Sequence, residues 1–279
     1  MQKQSLAFLA QVREIINEYS FALTLRQIYY QLVSRQVISN QQKYYAKLSR
    51  LCVIGRDEGI LPETVFADRL RQVQKPSSWV DLKDFMVTVK NAYRKDIWTN
   101  QDSYIEIWTE KDALRGVISP ITGNWDVNFL VVRGQVSRTA IYEAHLRFEQ
   151  NSDKNCYLFY LGDFDPSGLC IYESLVDRLL SFDEANESIH FERVALTIDQ
   201  IRHYNLPQDP GKQTDPNYKR FVSQYGDNVV ELDALPPDIL RTIVEKCITN
   251  LIDEEKIVQV QKVEAEEQIQ LQKWAEVRQ

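Results

Sequence analysis

The 279-residue sequence lacks the features that mark several large classes of protein. With nine glycines, nine prolines and no low-complexity tract, it is neither collagen-like nor disordered. No apolar run approaches the roughly 18 to 20 residues that span a bilayer, and the polar start lacks a basic leader and a small-residue cleavage site. No GxxxxGK(S/T) run is present, which excludes a phosphate loop. We therefore expect a soluble, cytoplasmic protein without membrane contacts.

Cysteine and histidine are also scarce. The three histidines show no ligand spacing, and the four cysteines form no CxxC pair. This excludes a disulfide framework and a zinc site built on paired thiolates. The cysteines lie in apolar segments, so we expect buried thiols at these positions: Cys52, Cys156, Cys170 and Cys247.

Positive charge is in deficit overall but is unevenly distributed. The chain has 33 Lys and Arg against 40 Asp and Glu, a net charge of -7. Residues 1–99 carry 15 basic and nine acidic side chains, whereas residues 100–279 carry 18 and 31. The first third is therefore suited to contact a polyanion. The acidic remainder is suited to bind metal ions or to form a solvated surface.

Three helices are predicted in the first third of the chain. Apolar residues recur at helical spacing over 5–19, over 25–35 and from about residue 40 onwards, and Thr24 is placed to cap the second helix. Gly59 and Pro62 then interrupt short extended pieces in GILPETVFADR. This order predicts a winged-helix domain over residues 1–99, with a linker that starts at KPSSWVDL.

Residues 100–252 alternate between short β-rich runs and helical stretches. YIEIWTE, VNFLVVRG and CYLFYLGDFDPSG are each followed by a helical pattern. Such alternation predicts an α/β fold with a parallel sheet and helices on both faces. HFERVAL and NVVELDAL are predicted as further strands, and residues 253–279 as a C-terminal helix that packs only partly on the body.

Three acidic residues stand at the predicted carboxyl ends of parallel strands. Glu110 follows YIEIWT, and Asp163 and Asp165 follow CYLFYL. Ligands of open α/β sheets bind at this edge, and carboxylate oxygens packed together suit Mg²⁺. A single acid here would be expected as a helix N-cap or a solvated turn residue. Three acids at one edge predict a metal site.

The same segments carry a family resemblance. EKDA at 110–113 and GDFDPSG at 162–168 resemble the acidic motifs of a Toprim domain, and RQIYY at 26–30 resembles the tyrosine motif of the domain that precedes it. In this order, over roughly residues 20–250, they are similar to the A subunit of topoisomerase VI and the related meiotic double-strand-break transesterase. The resemblance implies a winged-helix domain ahead of a Rossmann-like Toprim domain.

The resemblance also implies an activity. In that family a tyrosine attacks a DNA phosphodiester, so Tyr30 would be the nucleophile, with Arg26 beside it. Glu110, Asp163 and Asp165 would hold Mg²⁺ or Mn²⁺, and Glu110 would complete the catalytic group with Tyr30 and Arg26. A homodimer on double-stranded DNA is implied, with Tyr30 of one subunit facing the acids of the other. ATP-driven strand passage would need a separate ATPase subunit, and in a bacterium or an archaeon the protein would associate with the nucleoid.

The geometry of the second helix separates its two tyrosines. Leu25, Ile28 and Tyr29 share the apolar face, whereas Tyr30 lies about 130° away, beside Arg26. We therefore expect Tyr29 in the core and Tyr30 exposed. The alternative role for Tyr30 is a contact that stacks on DNA or hydrogen-bonds to phosphate without reacting.

Basic side chains along the third helix are placed to contact DNA phosphates. They are Lys43, Lys47, Arg50 and Arg56, and Arg26 on the second helix adds to them. The alternative is a solvated basic face.

Two other functions fit the same residues. A Toprim nuclease of a mobile element or a phage-defence system would use the metal to activate water, with Tyr30 only a DNA contact. A non-enzymatic winged-helix DNA-binding protein would keep a degenerate Toprim fold as structure, but the intact acid triad disfavours this function.

Overall fold

The chain has a mixed α/β fold in a computed structural model that describes residues 3–62, 76–182 and 188–276. The helices are α1 (Lys3–Asn17), α2 (Leu25–Ser34), α3 (Gln42–Asp57), α4 (Leu82–Ala92), α5 (Arg115–Asn124), α6 (Arg138–Gln150), α7 (Pro166–Leu180), α8 (Ile198–His203), α9 (Tyr218–Tyr225), α10 (Pro237–Thr249) and α11 (Glu254–Glu276). The strands are β1 (Ser103–Thr109), β2 (Asn128–Val131), β3 (Asn155–Leu161), β4 (Ile189–Ala195), β5 (Asp209–Pro210) and β6 (Asn228–Val229). Short 3₁₀ turns span Asp112–Leu114 and Leu232–Ala234.

A four-stranded parallel sheet organises the second part of the chain. Its strands lie in the order β2-β1-β3-β4, and β1 pairs with β3 along its full length, from Ser103 opposite Asn155 to Thr109 opposite Leu161. Parallel neighbours need a crossover connection, which the helices between the strands provide. The predicted parallel sheet is confirmed.

Alternate side chains of β1 and β3 enter two buried clusters on opposite faces of the sheet. Ile107 and Leu161 are buried on the face covered by α5 and α10. Trp108 and Tyr160 are buried on the face covered by α6 and α7. Because helices cover both faces, the carboxyl edge of the strands is the part of the sheet left for a ligand.

Helices α1, α2 and α3 share the apolar cluster of the sheet. Ile28 and Leu48 are fully buried and belong to the same cluster as Ile107 of β1, so the core runs across the boundary predicted near residue 99. Thr24 caps α2 as predicted. Its hydroxyl accepts a hydrogen bond from Gln27 N at 3.2 Å, and the Gln27 side chain accepts one from Thr24 N at 2.8 Å.

Only part of the predicted wing and linker can be compared with the structure. Of the wing predicted in GILPETVFADR, residues 63–69 lie outside the described residues, as does the first residue of the KPSSWVDL linker. Helix α4 starts at the end of that linker, where Asp81 caps it by accepting a hydrogen bond from Asp84 N at 2.8 Å. The sequence pattern did not predict this helix.

The predicted C-terminal helix is present as α11 and lies against α4. Glu267 accepts a hydrogen bond from the Tyr93 hydroxyl and pairs with Lys95 at 3.2 Å, whereas Trp274 remains exposed. The helix therefore packs only partly on the body, as predicted. Among the helices of the described ranges, α11 included, none has the length and apolar character that crossing a membrane requires.

The predicted strand NVVELDAL is only partly correct. The strand ends at Val229, and residues 232–234 form a 3₁₀ turn instead. The Leu232 N–H donates to Asp163 Oδ1 at 2.7 Å rather than to a neighbouring strand. This hydrogen bond places the segment beside the acidic turn after β3, at the carboxyl edge of the sheet, instead of in a pair of strands.

Candidate active site

The turn after β3 presents two carboxylates at the open edge of the sheet. Asp165 is the N-cap of α7, and its Oδ1 accepts a hydrogen bond from Gly168 N at 2.6 Å. Pro166 occupies the first turn of α7, where a missing N–H is tolerated. A Cβ at residue 168 would overlap the carbonyl oxygen of Asp163, so this position requires glycine. The GDFDPSG segment therefore fixes Asp163 and Asp165 on one tight turn.

Glu110 connects the end of β1 to this turn. Its Oε1 accepts a hydrogen bond from Asp163 N at 2.7 Å, and the Tyr160 hydroxyl donates to its Oε2 at 3.3 Å. Burial and the nearby Asp163 carboxylate raise the pKa of Glu110 from its ordinary 4.5 to about 8. The structure thus brings together the acids that the sequence placed at two strand ends.

Lys111 lies at the centre of the acidic residues. Its Nζ is 3.0 Å from Asp163 Oδ2, 2.7 Å from Glu231 Oε2 and 3.1 Å from Asp233 Oδ2. Burial alone would disfavour the ammonium form, but the three carboxylates outweigh it and raise the pKa of Lys111. Lys111 is therefore a fixed cation that holds three carboxylates in place.

Asp233 is the most deeply buried of these acids. Its side chain is fully buried, and neither of its oxygens accepts a hydrogen bond from the residues that the structure describes. Burial raises its pKa, and the charge of Lys111 opposes that shift. A buried carboxylate held by an ion pair without hydrogen bonds keeps the capacity to bind a further donor or cation.

Arg193 of β4 holds the backbone of the acidic turn. Its guanidinium donates hydrogen bonds to the carbonyl oxygens of Gly162 at 2.7 Å and of Leu196 at 3.1 Å, and to that of Asp163. Burial lowers the pKa of Arg193. Because it bonds to carbonyl oxygens, Arg193 positions the turn, while the Asp163 carboxylate accepts a hydrogen bond from Leu232 N and pairs with Lys111.

A cavity of about 340 Å³ opens between these groups and is called the acid cavity. Its lining includes Arg26, Glu110, Lys111, Asp163, Asp165 and Asp233. Over residues 3–62, 76–182 and 188–276, no three His, Cys, Asp or Glu side chains stand in the arrangement of a metal site. Glu110 and Asp165 each direct one oxygen to a backbone N–H, and Lys111 pairs with Asp163. The predicted ligands therefore line one cavity, but some of their carboxylate oxygens already bond to backbone N–H groups or to Lys111.

The prediction that Tyr30 is exposed is wrong. Tyr30 is 4% exposed and Tyr29 is 5% exposed, so both rings are buried. Helix α2 packs against the 3₁₀ turn that follows Glu231, and this packing buries Tyr30. The apolar pattern of α2 alone does not indicate that contact. Burial raises the pKa of Tyr30, Glu231 raises it further, and Arg26 opposes both.

Arg26 connects Tyr30 to the acid cavity within one chain. Its guanidinium donates a hydrogen bond to Glu231, and its positive charge acts on the nearby Tyr30 phenol. Glu231 in turn accepts a hydrogen bond from Lys111 at 2.7 Å. Arg26 therefore links the neighbourhood of Tyr30 to the acids through Glu231 and Lys111 within one chain.

A second cavity, of about 310 Å³, also borders Arg26 and is called the tyrosine cavity. Its lining includes Tyr29, Tyr30, Asn40, Tyr45 and Asp209. The Tyr29 hydroxyl donates to Asn40 Oδ1 at 2.8 Å, and Asn40 Nδ2 donates to Asp209 Oδ2 at 2.6 Å. This chain of hydrogen bonds fixes the polar wall of the cavity.

The basic side chains predicted to contact DNA lie outside the acid cavity, except for Arg26. Lys43, Lys47 and Arg50 are exposed along α3, whereas Arg56 is partly buried. The ammonium group of Lys47 lies 5.5 Å from the centre of the Phe8 ring. Lys43, Lys47 and Arg50 therefore face solvent on α3. Their contact with DNA stays a prediction.

Sequence reasoning missed several residues of the site. They are Lys111, Tyr160, Arg193, Glu231 and Asp233. Lys111 lies inside the EKDA segment, and Glu231 and Asp233 repeat the i,i+2 spacing of Asp163 and Asp165. That repeated spacing was the available signal, but assigning ELDA to a strand concealed it.

Comparison with known proteins identifies no family for this site. No protein-family model matches the chain, and no curated protein matches it either.

Proposed function

We propose that this chain cleaves phosphodiester bonds of double-stranded DNA at the acid cavity, with Mg²⁺ or Mn²⁺ held by Glu110, Asp163 and Asp165. The proposal includes the Toprim character of the α/β part and a winged-helix DNA-binding role for residues 1–99. Three packed helices and the exposed basic side chains of α3 support the latter role. The protein would act on DNA in the cytoplasm.

The charge balance of the site carries this proposal. The lining of the acid cavity has five carboxylates, those of Glu110, Asp112, Asp163, Asp165 and Asp233, and two cations, Arg26 and Lys111. With every group ionised, the lining has a formal charge of -3, an excess that a divalent cation would reduce. Burial, and after it the nearby Asp163 carboxylate, raise the pKa of Glu110 to about 8.

The donors present fit Mg²⁺ or Mn²⁺. These ions prefer oxygen ligands, and Mg²⁺ binds through one or two carboxylates while keeping waters and phosphate oxygens as its other ligands. Asp165 keeps one carboxylate oxygen that its backbone bond does not use, and the second oxygen of Glu110 accepts the hydrogen bond from the Tyr160 hydroxyl at 3.3 Å. When bound, the ion supplies Lewis-acid stabilisation of charge on the phosphate.

The protein groups would then bind and orient the DNA. Arg26 lies at the rim, about half exposed, where a guanidinium can bond to phosphate oxygens. Lys111 fixes the Asp163 carboxylate, and Arg193 fixes the backbone that carries it. These contacts hold the acids in position before the substrate binds. Such preorganisation avoids the cost of reorienting the acids during the reaction.

Water is the nucleophile that the geometry favours. Tyr30 is 4% exposed, and burial raises its pKa, so the phenol is neither accessible nor ionised in this conformation. In hydrolysis, the water oxygen bonds to phosphorus, its proton passes to a base, and the bond to the leaving oxygen of the sugar breaks. Attack by Tyr30 is the second candidate, and the charge of Arg26 favours it, since a nearby guanidinium lowers the pKa of the phenol and would stabilise a developing phenolate.

Partner subunits are proposed on the same basis. One acid cavity addresses one strand at a time, so cleavage of both strands would need a two-fold homodimer. Because Arg26 links Tyr30 to the acids in one chain, each site of such a dimer would be built within one subunit rather than between two. Strand passage would require a separate ATPase subunit.

Cleavage of supercoiled plasmid tests the proposal. We expect nicked or linear product with Mg²⁺, none with a chelator, and none from Asp165→Asn. Asp199→Asn, an exposed acid on α8, is the matched control and should stay active. Undiminished cleavage in the chelator or by Asp165→Asn would contradict the metal assignment.

A further inference from the structure

We propose that the tyrosine cavity binds a nucleobase that flanks the scissile phosphate and carries an exocyclic amino group. The inference rests on the proposed function, because it takes the acid cavity as the place where the phosphate binds. It adds a recognition site for one base of the substrate strand.

The size and walls of the cavity fit a single base. Its volume of about 310 Å³ lies at the lower end of the roughly 300 to 1,000 Å³ found for small-molecule sites. Three tyrosine rings line it, with the centre of the Tyr29 ring 5.3 Å from that of Tyr30 and 5.4 Å from that of Tyr45. Tyr29 and Tyr30 are buried and pack edge-to-face, so the partly exposed ring of Tyr45 is the surface on which an unpaired base would stack.

The polar wall favours a base with an amino group. Asp209 and Glu231 both line the cavity, and a carboxylate can only accept hydrogen bonds when ionised. Asn40 is held between the Tyr29 hydroxyl and Asp209, so its amide cannot turn freely. Cytosine, adenine and guanine carry an exocyclic amino donor, whereas thymine does not.

The position of the cavity connects it to the reaction. Arg26 lines both the tyrosine cavity and the acid cavity, and Glu231 bonds to both Arg26 and Lys111. A phosphate in the acid cavity and a base in the tyrosine cavity would therefore meet at the same guanidinium. A base that enters this cavity has left the duplex stack, as bases do in enzymes that flip nucleotides.

Binding of short, single-stranded oligonucleotides in a chelator tests the inference without cleavage. The fluorescence anisotropy of labelled oligodeoxycytidylate, oligodeoxyadenylate, oligothymidylate and an abasic strand of the same length would be measured with the intact chain. We expect the amino-bearing oligonucleotides to bind about tenfold more tightly than the abasic strand, because the abasic strand lacks the one base that would stack in the cavity. Oligothymidylate should bind between these limits.

Two substitutions locate the effect. Tyr45→Leu should remove most of the preference over the abasic strand, whereas Tyr45→Phe should keep it. Asp209→Asn should reduce the difference between cytosine and thymine. Tyr204→Leu, which removes an exposed ring at the end of α8, is the control and should change nothing.

The outcomes separate the two proposals. Equal affinity for abasic and base-bearing strands would overturn the base site, even if the protein cleaves plasmid. A base preference that depends on Tyr45 in a protein that never cleaves plasmid would overturn the proposed function alone. Free deoxycytidine monophosphate that displaces the oligonucleotide at equal concentration would show a free-nucleotide site and overturn the assignment to a DNA strand.

Discussion

Lys111 Nζ lies 3.1 Å from Asp233 Oδ2, and the Asp233 carboxylate accepts no hydrogen bond from the residues that the structure describes. A fully buried carboxylate therefore depends on one ammonium group. By contrast, Arg26 and Glu231 pair where 46% of one side chain and 31% of the other are exposed. The two pairs belong to one network, but water screens them very differently.

The first prediction follows from this contrast in burial. Lys111→Met should lower the free energy of unfolding by about 3–5 kcal/mol, because it leaves buried carboxylates without their cation. Arg26→Met should lower it by less, about 1 kcal/mol, because both side chains of its pair with Glu231 are partly exposed to water. Equilibrium unfolding in urea measures both. Equal losses for the two variants would contradict the role given to Lys111.

The second prediction concerns the glycine at the start of α7. Gly168→Ala should destabilise the chain by about 1–3 kcal/mol, because the new Cβ meets the backbone of Asp163, which cannot give way as a flexible side chain can. Plasmid cleavage should fall with it, since the acid turn must shift. Gly123→Ala in α5 meets nothing within 4 Å and should be neutral or stabilising by up to about 1 kcal/mol. A stable and active Gly168→Ala would show that the turn is not tightly packed.

The sequence predicted those parts of the structure that depend on local pattern. Thr24 and Gln27 have the spacing of a capping box, and the β-rich runs around Ile107 and Leu161 have the spacing and length of buried strands. The edge at which Glu110 and Asp163 meet follows from strand direction alone. These expectations required no knowledge of contacts between distant segments.

The parts that sequence pattern did not predict depend on distant contacts. Tyr30 lies on the polar side of α2 and would be exposed on an isolated helix, but the segment after Glu231 covers it. Leu232 leaves the predicted strand because Asp163, 69 positions earlier, accepts its N–H. Periodicity describes one element at a time, so it cannot indicate which other element will cover a face.

The third prediction tests a buried carboxylate inside the sheet. Glu106 in β1 is 1% exposed and accepts hydrogen bonds from Arg147 Nε at 2.7 Å, Tyr104 Oη at 2.7 Å and Trp108 Nε1 at 2.7 Å. Arg147→Met should lower the free energy of unfolding by about 3–5 kcal/mol, because it leaves that charge without its cation.

The matched control for Arg147→Met is Arg220→Met on α9. Arg220 pairs with Glu173 at the same 2.7 Å, but 61% and 45% of the two side chains are exposed. That substitution should change the free energy of unfolding by less than about 1 kcal/mol. Similar losses for the two variants in urea unfolding would show that burial does not decide the strength of these pairs.

The fourth prediction concerns the pH dependence of stability in a chelator. The pKa of Glu110 is about 8 in the folded chain and has the ordinary value of 4.5 when unfolded. Between these values the folded state binds a proton that the unfolded state has released, so stability from this group is lost as pH rises from 4.5 to about 8. Glu110→Gln cannot titrate, so its melting temperature should fall less over that range. Parallel melting curves for the two proteins would contradict the raised pKa.

The fifth prediction separates water from tyrosine as the nucleophile. Tyr30→Phe keeps the buried ring and removes only the hydroxyl, so it should cost no more than about 1 kcal/mol of stability. If water attacks, the variant should keep nicking plasmid, and denaturing gels should show free DNA ends for both proteins. If Tyr30 attacks, the wild-type protein should remain bound to the 5′ end until protease releases it, and Tyr30→Phe should not cut. Tyr30 does not line the acid cavity, so the substitution should leave the acids in place. A loss of cutting together with protein-linked wild-type ends would therefore assign the reaction to Tyr30. In that case α2 would have to move away from the Glu231 segment before the phenol could reach a phosphate.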